Sequence, residues 1–261
     1  RRYIKMNISE KPVAIVTGGS RGVGAATAKL LASKGWNVTI TCTSSIDDAD
    51  VVVQECENLG VEALAISADV GDNEACIKTA NETVAKWGRI DALVNNAGTT
   101  KFVFNHGDLD GLDAEDFLHI YKINVVGPFQ MVRACRSSLE KSDNPSVVNI
   151  SSIAGIKGIG SSLAYGCSKG ALNTMTMSMA RNLGPIRVNA ICPGFIQGEW
   201  LKNGMGDDLY NAALKNLTQN TPLNLTVTPD QVAQGIYSFI GINKVVTGET
   251  MLMDGGHHLI I

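Results

Sequence analysis

Six short runs of this chain, Val13–Thr17, Asn37–Thr41, Ala63–Ser67, Ala92–Asn95, Ser146–Ser151 and Arg187–Ile191, lack the strict apolar/polar alternation of a half-exposed strand. A strand that is apolar on successive residues has to be covered on both faces, as in a parallel sheet sandwiched between helices. Longer segments with helical patterning separate the runs, and parallel strands need such long crossovers. A further strand near Glu249–Met253 closes the series. The expected fold is therefore α/β, a doubly wound parallel sheet of about seven strands with helices on both faces.

The chain has 261 residues and is 44% hydrophobic, enough for a large core and too apolar for disorder. No linker or low-complexity tract divides it, so residues 1–261 are read as one domain, with 1–11 as an N-terminal extension. A net charge of −3 argues against nucleic-acid binding. No apolar stretch approaches the ~18 residues of a membrane span. The six cysteines contain no C-x-x-C and the four histidines no H-E-x-x-H, so no metal site is expected. Arg1-Arg2 is not followed by the apolar region of an export signal; Met6 is read as the natural start and the protein as cytoplasmic. Residues 194–230 break the rhythm, with Gly194, Gly198, Gly204, Gly206, Pro222 and Pro229 around one short helical pattern, roughly Asp207–Leu217. Their apolar members (Phe195, Ile196, Trp200, Leu201, Met205) point to a substrate lid rather than a solvated linker.

The first strand runs through Thr17-Gly18-Gly19-Ser20-Arg21-Gly22-Val23-Gly24 into a helix. Glycines there let backbone N–H groups close on an anion at the helix N-terminus. The spacing is G-x-x-x-G-x-G, related to the dinucleotide fingerprint G-x-G-x-x-G but not identical to it. A ligand-free glycine turn is the bland alternative. The second strand leads into Cys42-Thr43-Ser44-Ser45, without the acid that would accept from a ribose 2′-hydroxyl; the first acids are Asp47 and Asp48. Small hydroxyl residues leave room for a 2′-phosphate, with Arg21 as counter-charge or else simply a solvated arginine. NADP(H) is expected over NAD(H).

Tyr165 and Lys169 stand four apart, on one face of a helix. A lysine ammonium beside a phenol favours the phenolate and lowers a pKa that starts near ~10, which makes a tyrosine a usable proton donor or acceptor. Ser152, at the end of a strand, could hydrogen-bond the reacting oxygen.

Taken with these residues, Asp69-Val70, Asn95-Asn96-Ala97-Gly98, Asn124, Pro193-Gly194 and Asp254-Gly255-Gly256 complete a motif order that resembles the short-chain dehydrogenases/reductases from about Val13 to Gly256. The resemblance implies a single Rossmann-type domain. It makes Tyr165 the general acid/base, Ser152 the carbonyl-orienting hydroxyl, Lys169 the ribose holder and Asn124 the anchor of a relay water. Asn124 could equally satisfy backbone groups where its helix breaks. Cofactor contacts are implied at Gly18, Ser20, Arg21, Gly22 and Val23 in the loop, and at Thr43 and Ser44. Further contacts are implied at Asp69 and Val70 (adenine), Asn96, Ala97 and Gly98 (adenine ribose side), Pro193, Gly194 and Ile196 (nicotinamide side). Asn95 would tie strands together. One departure is Gln197-Gly198, where members often carry a cofactor-touching Thr.

Within the family, the loop and Thr41-Cys42-Thr43-Ser44 are similar to 3-oxoacyl-acyl-carrier-protein reductases, whose matching Arg and Thr would bind the 2′-phosphate. The expected activity is NADP(H)-dependent hydride transfer to a small carbonyl substrate, including a carrier-linked 3-oxoacyl thioester. The alternatives are an NAD(P)+-dependent sugar, polyol or other secondary alcohol dehydrogenase, and a catalytically idle nucleotide binder. Arg133, Arg136, Lys141 and Arg181 are dispersed and read as a solvated face. Methionines at 175, 177 and 179 fall on opposite sides of the helix after Lys169. With the resemblance, they imply a homotetramer built on that helix and its neighbour, Asp113–Leu139.

Overall fold

Seven parallel strands form one sheet in the order β3-β2-β1-β4-β5-β6-β7. They are β1 (Val13–Val16), β2 (Asn37–Cys42), β3 (Ala63–Ser67), β4 (Ala92–Asn95), β5 (Ser146–Ile150), β6 (Arg187–Pro193) and β7 (Thr250–Met253). The computed structural model describes residues 9–260; the expected extension 1–5 and start at Met6 lie outside them. Ser9, from the expected 1–11 extension, docks on the domain: its N–H donates to Trp87 O at 2.8 Å and its carbonyl accepts from Arg89 at 3.1 Å.

The two apolar sides of each central strand feed two cores. Ala14, Val16 and Val94 pack with Ala28 and Leu31 of α1 (Gly22–Ser33), Val52 of α2 (Ile46–Glu57) and Ile236 of α10 (Pro229–Tyr237). Ile15, Leu93 and Val147 point the other way, to Cys76 and Ala80 of α3 (Asn73–Trp87) and Met131 and Cys135 of α5 (Gly127–Leu139). This strict alternation of partner explains why the runs read as continuously apolar. β7, an edge strand, is only half-buried. The chain returns to the middle of the sheet after β3, so the order reverses between β1 and β4, and the carboxyl ends of those two strands open a crevice there.

Two expectations are corrected. The helix expected over Asp113–Leu139 is α4 (Ala114–Tyr121) and α5, joined by a π turn at Lys122–Val126, with Asp113 as the α4 N-cap. Pro128 has no N–H to give the carbonyl four residues earlier, that of Asn124, so the regular ladder cannot run through. The 194–230 region holds two helices rather than one, α8 (Glu199–Met205) and α9 (Asp207–Asn220). Gly198 (φ 149°) and Gly206 (φ 77°) bracket α8 in conformations that side-chain-bearing residues avoid. That punctuation, and the absence of any buried α8 residue, hid the helix from periodicity. No helix among the described residues is long and apolar enough to cross a membrane.

Candidate active site

The glycine loop lies at the base of an open cleft of about 870 Å³ along the carboxyl ends of the strands. Gly18, Ser20, Arg21, Gly22 and Val23 line one part of it, with Thr43, Ser44, Asp69, Val70, Asn96, Ala97 and Gly98; Tyr165, Lys169 and Ile196 line the rest. Pro193 ends β6 and Gly194 donates to Met253 O at 3.0 Å; neither lines the cleft directly. α1 enters this space uncapped: its N-cap Arg21 makes no side-chain capping bond and its first turn carries no acid. By contrast α3, α4, α10 and α7 (Leu163–Asn182) each have a side-chain cap. The unmet N–H groups of α1 and its dipole therefore face the cleft, as an anion site requires. A Cβ on Gly24 would lie 2.1 Å from Gly18 O, so the helix approaches the loop more closely than any side chain permits. A diphosphate fits this cradle.

At the other end, Ser162 caps α7 by accepting from Tyr165 N at 3.2 Å, which fixes Tyr165 in the first turn and Lys169 one turn on. The Lys169 ammonium donates to Ile150 O at 2.8 Å and stands 5.5 Å from the Tyr165 ring centre. Ser152 follows β5, its hydroxyl accepting at 3.1 Å from the N–H of Ala154, the first residue of the short α6 (Ala154–Lys157), and interacting with the Tyr165 phenol. Asn124 is fully buried within the π turn. Its side chain accepts from Thr99 N at 2.8 Å and donates to Thr99 O at 2.9 Å and Ser168 Oγ at 3.0 Å. It thus satisfies backbone groups where its helix breaks. Asn95 donates to Asn149 at 2.8 Å, tying β4 to β5, as expected.

The acid–base expectation is corrected. Burial raises the Tyr165 phenol to about 12, against a smaller lowering by the Ser152 hydroxyl, although part of the ring faces the cleft. Burial lowers the Lys169 ammonium to about 8. Burial is the largest influence on the phenol and works against its ionisation, so the tyrosine keeps its proton at neutral pH.

Thr99, Gln197, Trp200 and Leu201, which belong to the irregular loops expected to select the substrate, line the cleft as well, and two further lining residues, His119 and Ile123, were missed by sequence reasoning. His119 and Ile123 stand four apart on one helical face, a signal that was available. Gln197, at the family departure, donates to Thr226 Oγ1 at 2.9 Å, and Ile196 bridges Val227, so this segment is fastened to the strand-like stretch before α10. The described residues contain no cluster of His, Cys, Asp or Glu that could hold a metal.

Residues 12–207 match the family model described as short chain dehydrogenase. A Streptomyces violaceoruber protein assigned as ketoacyl reductase 2 of the granaticin polyketide synthase is 36% identical, over 96% of this chain and 98% of its own length. The 3-oxoacyl-[acyl-carrier-protein] reductase of Staphylococcus epidermidis is 31% identical over 94% and 98%. Among solved structures, an NAD+-bound xylitol dehydrogenase superposes with a TM-score of 0.85 at 28% identity, covering 97% of this chain and 100% of that one. The chain belongs to the short-chain dehydrogenase/reductase family. It is an oxidoreductase acting on CH–OH or C=O groups with a nicotinamide cofactor.

The shifted lysine has a measurable consequence. Lys169 titrates near its ordinary 10.5 in the unfolded chain and near 8 in the folded one. Between those values the unfolded state holds the extra proton. The cost of burying the ammonium is therefore full below the folded value and is relieved as pH rises through it. The phenol, raised from 10 to about 12, acts in the opposite sense and only above its unfolded value. The stability of the wild type relative to Lys169→Met, from urea unfolding, should rise between about pH 8 and 10.5. A flat or falling difference would show that the ammonium is not desolvated.

Proposed function

We propose that this protein is an NADP(H)-dependent carbonyl reductase, a reading carried by one observation: a single cleft joins an uncapped, glycine-lined helix N-terminus to Tyr165, which stands beside Ser152 and Lys169. When bound, a nicotinamide supplies or takes up a hydride. The chain's own groups do the rest. The Gly18–Val23 loop binds the diphosphate, Asp69 and Val70 flank adenine, and Asn96, Ala97 and Gly98 border its ribose. Lys169 holds the second ribose, while Pro193, Gly194 and Ile196 shape the nicotinamide end. Ser152 donates a hydrogen bond to the substrate oxygen, and Tyr165 gives that oxygen its proton. A phenol raised by burial is in its protonated form at neutral pH, the form that a reduction consumes. Proton resupply passes behind Lys169, where Asn124 orders the backbone around a relay water. The 194–230 region acts as the lid of a single domain spanning the chain.

The phosphate preference rests on Arg21, exposed and without an ion pair among the described residues, and on the exposed, acid-free turn at Thr43 and Ser44. The likeness to an NAD+-bound xylitol dehydrogenase favours the second reading, an NAD(P)+-dependent alcohol or polyol dehydrogenase. The thioester reading rests on the reductase relatives rather than on a docking face: Arg136 is paired with Glu140 at 2.7 Å and Arg133 bonds Asn73. Six free thiols suit a reducing, cytoplasmic setting. We infer a homotetramer as well. Met177 of α7 is exposed together with Leu118 and Phe129 on α4 and α5, an apolar set that a second copy would cover.

Three measurements bear on this reading. NADPH should bind at least about tenfold tighter than NADH, roughly 1.4 kcal/mol, and Arg21→Ala should erase most of that gap; equal affinities in the wild type would favour the dehydrogenase reading. Tyr165→Phe should lower turnover by about 10²–10⁴ while leaving cofactor affinity nearly intact, and wild-type turnover in a chemistry-limited step would reject the assigned acid. Light scattering at micromolar concentration should return a multiple of the chain mass, reduced by Met177→Lys; a monomeric wild type would end the tetramer proposal.

A further inference from the structure

Three aromatic rings form a row that begins at the reacting phenol. Trp200, on α8, centres 6.4 Å from the Tyr165 ring, Phe102 lies 5.6 Å from Trp200, and Phe104 lies 5.5 Å from Phe102. The successive rings are tilted by 44°, 54° and 43°, arrangements that leave edges and offset faces available to a further ring. α8 and the segment after β4 fit closely here, since a Cβ on Gly204 would meet the Phe102 ring at 2.0 Å. Trp200 and Phe104 are nonetheless each 42% exposed, so the row is not closed into the core. Trp200 also lines the cleft, in continuity with Tyr165.

The cations near this wall are already engaged. Lys101, beside Phe102, is paired with Asp116 at 2.6 Å, and Lys202, two residues after Trp200, with Asp207 at 3.7 Å. The wall therefore offers apolar ring surface without a free lysine from either flank to grip a phosphate-bearing carrier. The ring faces themselves carry no hydrogen-bonding group for a polyol.

We propose that Trp200, Phe102 and Phe104 form a substrate wall and that the substrate is a flat, ring-bearing ketone, aromatic or fused bicyclic, laid against Trp200 with its carbonyl at Tyr165. The assignment rests on the carbonyl-reductase reading and narrows it. A linear thioester would leave this ring surface wet, whereas a flat ring covers it and adds aromatic contacts.

The test compares kcat/KM for 2-tetralone, cyclohexanone and acetoacetyl-coenzyme A with NADPH in the wild type, Trp200→Ala and Trp200→Phe. The wild type should prefer 2-tetralone over both others by at least about tenfold. Trp200→Ala should cut the tetralone-to-cyclohexanone ratio by about tenfold, chiefly through KM, and Trp200→Phe should restore most of it. A purely structural role for Trp200 would lower both ketones in proportion and leave the ratio unchanged, which overturns the proposal. So does acetoacetyl-coenzyme A matching 2-tetralone in the wild type. Calorimetric titration of 2-tetralone in the presence of NADP+ separates the two layers. If no carbonyl is reduced, the reductase reading fails, while binding weakened about tenfold by Trp200→Ala still upholds the wall. No binding, or an affinity indifferent to the variant, overturns the wall itself.

Discussion

The site depends on a clamp between the ends of β1 and β4. Thr17 Oγ1 accepts from Asn96 N and Ala97 N, each at 3.0 Å, and the Asn96 side-chain amide donates to Thr17 O and Gly18 O, each at 2.9 Å. These bonds cross the point where the strand order reverses. A sheet of this topology opens a crevice there of necessity, because the connections leave β1 and β4 in opposite directions. The clamp keeps the crevice from being floppy. It satisfies loop carbonyls that no ladder reaches and sets the height of Gly18 under α1. Each such group left unpaired in a buried place would cost about 1–3 kcal/mol.

The same short segment, Asn95 to Thr99, reaches three other elements. Asn95 bonds Asn149 of β5, which in turn bonds Thr176 of α7 at 2.9 Å. Thr99 is held on both its N–H and its carbonyl by Asn124, and Asn124 also reaches Ser168, whose hydroxyl donates to Tyr165 O at 2.7 Å. The glycine loop and the helix turn that carries the phenol are thus connected through side-chain amides. A π turn in this path is no accident of packing. Pro128 denies the Asn124 carbonyl its usual donor, and the local rewinding puts the Asn124 side chain deep in the interior.

Much of this was legible in the sequence. Doubly apolar runs demanded a parallel sheet, and the loop, Tyr165, Lys169 and Ser152 could be found by residue type and spacing. What escaped was whatever depends on three-dimensional proximity or on burial. Phe102, Tyr165 and Trp200 lie far apart in the chain, and nothing in their local patterns brings them together. The direction of the tyrosine shift was misjudged because spacing shows a lysine nearby but not how far burial withdraws the phenol from water. α8 was missed because a seven-residue helix with no buried residue leaves no apolar stripe to read.

That last failure carries a physical meaning. Tyr165 and Lys169 sit on a capped, 20-residue helix whose inward face is buried against the sheet. Their geometry is over-determined, and a change of side chain there costs both stability and chemistry. α8 is the opposite case: short, without a side-chain cap, bracketed by two left-handed glycines and held by Trp200, by Gly204 against Phe102, and by Gly198 N donating to Tyr210 Oη at 3.1 Å. Few buried contacts mean that, its constrained glycines aside, this helix can be re-sequenced at little cost to the fold. Rigid supports hold reacting atoms to a fraction of an ångström, and loosely anchored ones let substrate choice vary without disturbing them. On the proposed reading, the family's shared chemistry belongs to the β5–α7 corner, and this chain's own selectivity to the ring-bearing face of α8.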